Sequence, residues 1–547
     1  MPRVATFRYL GAADPRARGS EGSEPATLFV QHEVLVNISI TAESTMSSQG
    51  ARETIQERRH RLSLVPRACE GCKVRKFAVA KLLCLQTYVN PARHPIFLSS
   101  YAISDLQVVE DLCRSVLSGP SRASVGQVAS MHGVLFFVLK ELIAMNDELY
   151  QRFDLTTHLD HCEKVFAATL ETYDVLAVPS FENVKAQGEA KPALYWTLIS
   201  AASMHCQSLG YHRETTYRNI LSGKADNIRR LFWTIYVFDK NMALLLGRVS
   251  NMQGVKIDVR HPAISIDPSR RAWDESFIMG IRMAEFQDRV FTDLYNPATS
   301  IKDPSERTQF IQDLAPDMEQ WHSQLKQIDP EGANNLQVFN MSRTNWDISF
   351  NSTLTLLLHA SSTTGEELQI SSRCFNAAHN SLLAHLNSFP QYQSSKLLSD
   401  GEYFNWILLF SSLTPFLVIF LHAISAKDTQ SIELLAQVVR SFETFRKVSL
   451  GAERLYQICA TLTNIAEKLL QSQQLSVGIY NEQEDSLRLP DTPGDTSMFH
   501  AEDLQNVLDM DNGDEATSLY ATDLLNEFLS GEPFLWNRFD FEVGNGP

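Results

Sequence analysis

Two cysteines carry the clearest chemistry in this chain. Cys69-Glu-Gly-Cys72 is a C-x2-C pair, preceded by Arg67 and followed by Lys73, Val74, Arg75 and Lys76. Thiolates at this spacing sit on one turn and can share a soft cation, of which zinc is the usual one. Basic side chains directly after the second cysteine are suited to phosphates, where each neutralised charge adds salt-dependent affinity. The other six of the eight cysteines are scattered, at 84, 113, 162, 206, 374 and 459. That is no disulfide framework and fits reduced, intracellular thiols.

Further ligand sets are weaker. Cys84 and His94 could complete a four-ligand zinc site with Cys69 and Cys72, although the spacing matches no common finger. His158 and Cys162 stand four apart, a helical clasp for a metal, but a polar face with a half-buried cysteine explains them as well. His205 falls on an apolar helical stripe and reads as a satisfied core histidine. No G-x-S-x-G, P-loop, H-E-x-x-H or dinucleotide-binding glycine pattern occurs, so the chain is not expected to be an enzyme.

Charge separates the two ends of the chain. Residues 52–81 hold nine basic and three acidic residues, whereas residues 481–547 hold two basic and 16 acidic ones, within a net charge of −16. A basic head and an acidic tail suggest a nucleic-acid contact at one end and a protein contact at the other. The opening residues have no apolar run of signal-peptide length, and secretion is not expected. Trp406–Ala426 has no charged residue, but Ser411, Ser412, Thr414, Pro415 and His422 interrupt it. It is expected to form a buried helix or helix pair rather than a membrane span.

Between these ends the pattern is helical. Leu194, Leu198, Ala201, His205 and Leu209 recur at helical spacing, with Gly210 as the expected stop. Ile228, Leu231, Ile235, Phe238, Met242 and Leu245 do the same, with Asp226 as the expected N-cap and Gly247 as the stop. Leu455, Ile458, Leu462, Ile465 and Leu469 mark a later core helix. No strand series and no internal repeat is evident. The expected fold is all-α: a large helical regulatory domain over 97–474, after a disordered or spurious segment over 1–51 and a basic segment with a partial zinc cluster over 52–96. An acidic, mostly disordered tail over 475–547 follows. Its clusters Leu524, Leu525, Phe528, Leu529 and Phe534, Leu535, Trp536 alternate with acids in the manner of activation segments, although a solvated tail with a C-terminal helix docked on its own core would give the same composition.

Arg67-Ala-Cys-Glu-Gly-Cys-Lys-Val-Arg-Lys76 resembles the opening of the six-cysteine zinc binuclear cluster of fungal transcription factors. In that family six thiolates hold two zinc ions and a short basic helix enters the major groove. The pattern expects a third cysteine where this chain has Val79, and the residues after it depart from the pattern. A faulty gene model, a factor that has lost direct DNA binding, and the four-ligand site above all remain open. A second stretch resembles the middle homology region of the same family. Ser208-Leu-Gly-Tyr-His-Arg213, Arg229-Arg-Leu-Phe-Trp233, Tyr236, Asp239-Lys240, Gly247-Arg248 and Ile257-Asp258 follow in its order, most closely over 192–262.

The resemblance implies a nuclear, sequence-specific regulator of RNA polymerase II transcription that binds double-stranded DNA. Cys69 and Cys72 would ligate zinc, and Lys73, Arg75 and Lys76 would face DNA, with zinc-dependent binding impaired by the incomplete cluster. A homodimer and coactivators recruited through the acidic tail are the implied partners, and no membrane. The alternative is a regulatory interaction protein that acts through partners without touching DNA. Arg229, Arg230, Asp239 and Arg248 are expected to set helix orientation rather than bind a ligand.

Overall fold

A computed structural model describes residues 106–118, 125–147, 154–171, 192–360, 370–396, 398–408 and 411–481. Among them every regular element is helical, and no strand occurs. The segment holding Cys69, Cys72, Lys73, Arg75, Lys76, Cys84 and His94 lies outside the described residues, as does the tail beyond Asn481.

The first three helices, α1 (Leu106–Ser118), α2 (Val125–Ala144) and α3 (Leu155–Glu171), pack around Val109, Met131, Val134, Leu135 and Cys162. α2 is long and apolar enough to cross a membrane by length and composition, and about half of its apolar window, 56%, is buried inside the protein. Lys140 on α2 forms an ion pair with Glu402, 262 residues away, joining this group to the C-terminal helices.

The second group contains α4 (Pro192–Ser208), α5 (Ser222–Leu246) and α6 (Pro268–Val290). α5 packs on both of the others. Two expectations need correction here. Asp226 does not cap α5: the helix starts at Ser222, with Leu221 at the N-cap and no side-chain cap. Asp226 instead takes the N–H of Ala263 and the Arg230 guanidinium, contacts more distant than a cap. On α4 the buried face is Ile199, Ala201, Ala202, Ser203 and Cys206; of the expected stripe Ala201 is buried, but His205 is only half-buried and Leu209 is 47% exposed. Small residues make that face because they let α5 approach closely. The expected stops hold: Gly210 and Gly247 both adopt left-handed backbone, with φ of +70° and +60°.

The third group is the largest. α7 (Pro304–Lys326), α8 (Leu336–His359), α9 (Ser372–Ser395), the short α10 (Asp400–Tyr403), α11 (Thr414–Ser425), α12 (Thr429–Phe442) and α13 (Leu450–Asn481) share one core with the end of α5. The tripeptide Asp-Pro-Ser starts both α6 and α7. Asp267 and Asp303 accept the N–H two residues on, and the proline occupies a position where a missing N–H costs nothing. α11 is the centre of this core: Phe416, Leu417, Val418, Ile419 and Phe420 are at most 1% exposed. Its 12 residues span only about 18 Å at helical rise, short of a bilayer core. The break before it is held by Ser352, whose hydroxyl accepts the Ser412 N–H at 2.8 Å. The C-terminal half of the uncharged stretch, Thr414–Ser425, is therefore a buried core helix, as expected. In α13, Leu455, Ile458, Leu462 and Ile465 are buried, and the helix runs to Asn481, seven residues past the boundary expected at 474.

Candidate functional site

The residues singled out between 208 and 258 converge on one structure. Residues 255–265 have no regular secondary structure and cross α5 as an extended strap. Few apolar side chains anchor it; Val259 enters the core shared by α4, α5 and α6, and Ile257 packs against that core. Polar side chains do the rest.

Glu214 is one fastening. Its carboxylate accepts from the Arg229 guanidinium at 2.8 Å and from the Arg260 N–H at 3.0 Å, while its own N–H donates to Asp258 at 2.8 Å. Burial pushes Glu214 upward, but the Arg260 N–H and Arg229 outweigh it and hold the carboxyl below the usual range. Arg229 also lies over the Tyr217 ring at 4.4 Å, a contact of about 0.5–1 kcal/mol at such sites. Tyr217 donates to the Tyr211 carbonyl at 2.7 Å, and Thr216 to that of Gly210 at the same distance, closing the turn after α4. An added Cβ at Gly210 would meet Thr216 Oγ1 at 2.9 Å, so this turn needs glycine for both its backbone and its space.

Arg230 is the second fastening, and it is 4% exposed. It meets Asp226 at 2.9 Å, Asp274 of α6 at 2.8 Å and the Ala263 carbonyl at 3.1 Å. The same two carboxylates accept strap N–H groups, Asp226 from Ala263 and Asp274 from Ser265, each at 2.8 Å. One guanidinium thus sets both the α5–α6 pairing and the path of the strap. Trp233 adds a bond to the Arg260 carbonyl at 2.9 Å and an edge contact with His261 at 4.9 Å.

Asp239 holds the loop after α5. Fully buried, it accepts from the Ser250 hydroxyl, from both the backbone and side-chain amides of Asn251 at 3.1 and 2.7 Å, and from the Met252 N–H. Its neighbour Lys240, 2% exposed, reaches Asp288 of α6 at 2.8 Å. Arg248 lies 5.9 Å from the Trp196 ring. All four charged residues expected to orient helices therefore have structural contacts. Sequence reading missed Glu214, Asp274, Asp288 and the Ser250–Asn251 pair, which act on residues 11 to 48 positions away. Only charge marked the three carboxylates, and nothing local marked Ser250 and Asn251.

The contacts of Glu214, Arg230 and Asp239 fix the geometry of the strap, the α5–α6 pairing and the loop after α5. Burial pushes the nearby Cys206 thiol up to about 12, far from a reactive thiolate. Among the described residues no group of three or more His, Cys, Asp or Glu side chains is placed to hold a metal. Cys162 is buried, and the His158–Cys162 spacing does not develop into such a group. A second buried polar cluster lies in the C-terminal core. His385 bonds through Nδ1 to the Tyr403 hydroxyl at 3.1 Å and through Nε2 to Ser441 at 2.8 Å. Burial lowers its imidazole to about 3.

Residues 184–326 match the fungal specific transcription factor domain, and this stretch contains the whole strap and its fastenings. The chain is 24% identical over 296 residues to an uncharacterized transcriptional regulatory protein of Schizosaccharomyces pombe, covering 50% of this chain and 45% of that protein. It is 24% identical over 169 residues to an ABC-transporter-regulating transcription factor of Aspergillus fumigatus, covering 29% of this chain and 19% of that one. The chain thus spans less than half the length of these curated relatives. No solved structure matches it.

Proposed function

We propose that this chain is a nuclear regulator of RNA polymerase II transcription and not an enzyme. The observation that carries this reading is the match of residues 184–326 to the fungal specific transcription factor domain, supported by relatives that are transcriptional regulators. In this reading the helical body regulates and supports a homodimer, and the acidic tail engages coactivators. The segment 52–81 contacts double-stranded DNA through Lys73, Arg75 and Lys76, with Cys69 and Cys72 as zinc ligands. Two ions would need six thiolates, and Val79 stands where the third is expected, so zinc-dependent binding is weak in this chain.

The test is zinc content by native mass spectrometry alongside affinity for a random-sequence duplex pool. We expect fewer than two zinc ions per chain, and salt-sensitive DNA binding stronger than that of a variant lacking residues 52–81. Zero zinc together with affinity equal to that variant would sink direct DNA binding. The second reading, favoured by Val79 itself, would then stand: a regulator that reaches promoters through partner proteins.

A further inference from the structure

The turn before α13 carries a pattern of charge and hydroxyl found nowhere else in the chain. Arg446-Lys447-Val448-Ser449-Leu450 sets two basic residues three and two positions before a serine, with an apolar residue after it. The chain has five adjacent pairs of Lys or Arg, and only this pair is followed two residues later by a hydroxyl side chain. Protein kinases select substrates by such charge patterns, and carboxylates in their grooves read basic side chains. The fold presents the pattern outside any helix. Residues 446–449 lie between the short helical turn ending at Phe445 and α13, with Arg446 and Lys447 exposed and Ser449 half-buried.

Three contacts hold this turn. Val448 sits on α10, where a Cβ added at Gly401 would meet it at 3.3 Å. Arg446 makes two bonds to Glu453, each at 2.8 Å, and its guanidinium lies 4.3 Å from the centre of the Tyr456 ring. The Ser449 hydroxyl accepts the Ala452 N–H at 3.1 Å and so caps the 32-residue α13. The Arg446 and Glu453 side chains are 44% and 26% exposed, and surface pairs of this kind add little to stability. Arg446 can therefore be withdrawn without opening the core.

We propose that Ser449 is phosphorylated by a basic-directed protein kinase, and that the phosphate then takes Arg446 from Glu453. The Ser449 Oγ attacks the γ-phosphorus of ATP. The new O–P bond forms as the bond to ADP breaks, and the hydroxyl proton passes to a carboxylate base of the kinase. The product carries a charge of about −1.5 to −2 and three strong acceptor oxygens beside the first turn of α13. It repels Glu453, which stands in that turn, and outcompetes it for the guanidinium. Arg446 thereby exchanges a contact on the side of α13 for one at its end, and the serine keeps its place as cap. This inference goes beyond the transcription-regulator reading and does not depend on it.

The experiment incubates the full chain with ATP and the catalytic subunit of a cyclic-AMP-dependent protein kinase, and maps phosphate by mass spectrometry. Phosphate is expected at Ser449. It should be absent there in Ser449→Asn, which keeps a capping side chain, and restored at the same position in Ser449→Thr. Arg446→Gln and Lys447→Gln should each slow the reaction about tenfold, the worth of one charge-assisted hydrogen bond. Glu453→Gln should speed it about threefold, because Arg446 is then released from a surface ion pair. Hydrogen exchange of the amides of residues 451–453 should slow about threefold on phosphorylation, the effect of an anion at a helix N-terminus. A full chain left unmodified at Ser449, while a synthetic peptide of residues 443–454 is phosphorylated alongside it, overturns the proposal. A rate indifferent to both Arg446→Gln and Lys447→Gln overturns it as well. Faster amide exchange after phosphorylation would overturn the exchange of partners by Arg446.

Discussion

Arg230 of α5 and Asp274 of α6 meet at 2.8 Å, and both side chains are 5% exposed. The pair ties two helices whose partners lie 44 residues apart in sequence, and each carboxylate on Arg230 carries one strap N–H as well. Removing a buried partner leaves an uncompensated charge, which costs about 3–5 kcal/mol. We therefore expect Arg230→Ala to lower unfolding stability by about that much, measured by urea denaturation. Arg230→Met combined with Asp274→Leu should recover most of the loss, because an apolar pair replaces an ionic one. An Arg230→Ala variant of unchanged stability would show that the strap is held by other means.

Acid should unfold the C-terminal core earlier than its carboxylates alone require. His385 lies between Tyr403 and Ser441 and against the Phe389 and Phe442 rings, and its folded pKa of about 3 is well below the ordinary 6.5. Below pH 6.5 the unfolded chain takes up a proton that the folded chain refuses, so stability falls as pH drops from 6.5 toward 3. At pH 5 this one residue accounts for roughly 2 kcal/mol of loss relative to neutral pH. Burial lowers His205, His212, His261 and His422 as well, and each adds loss of the same sign. Glu214 and Asp428, held below the usual range, act only further down, as pH falls through the carboxylate range. Urea midpoints at pH 7.5 and 5.0 should differ less in His385→Gln than in the parent chain, and an equal difference would contradict this account.

Thiol chemistry should divide the eight cysteines. Cys113, Cys162, Cys206, Cys374 and Cys459 are buried, and burial pushes both Cys206 and Cys374 up to about 12. Titration of the native chain with a disulfide reagent should therefore label those five only on unfolding. Cys69 and Cys72, if they ligate zinc, should be labelled fast in chelator and slowly after zinc is returned. Labelling of these two that ignores zinc would contradict their role as ligands.

Much of the helical body was legible because burial there follows helical spacing over many turns, as in Leu455, Ile458, Leu462 and Ile465. The stops at Gly210 and Gly247 were legible for a different reason, since left-handed backbone selects glycine. Asp226 misled because the same short carboxylate serves a cap or a distant N–H equally well, and only the approach of Ala263 decides between them. The face of α4 was misread because alanine, serine and cysteine weigh little in a hydrophobic pattern, yet pack closest to a neighbouring helix. The strap was marked only by its Ile257-Asp258 pair. Its fastenings to Trp233, Arg230, Asp226 and Glu214 join residues 27 to 46 positions apart, beyond any local periodicity. The proposed zinc ligands Cys69 and Cys72 and the proposed DNA contacts Lys73, Arg75 and Lys76 rest on residue types, spacing and a family resemblance, and they lie outside the described residues.

The central claim is that this chain regulates transcription, and a tethered reporter tests it most directly. The full chain, fused to a heterologous DNA-binding domain, is placed at a fungal promoter carrying that domain's site, and transcript output is measured against the DNA-binding domain alone. A clear change in transcript level is expected. Output identical to that of the DNA-binding domain alone would contradict the claim.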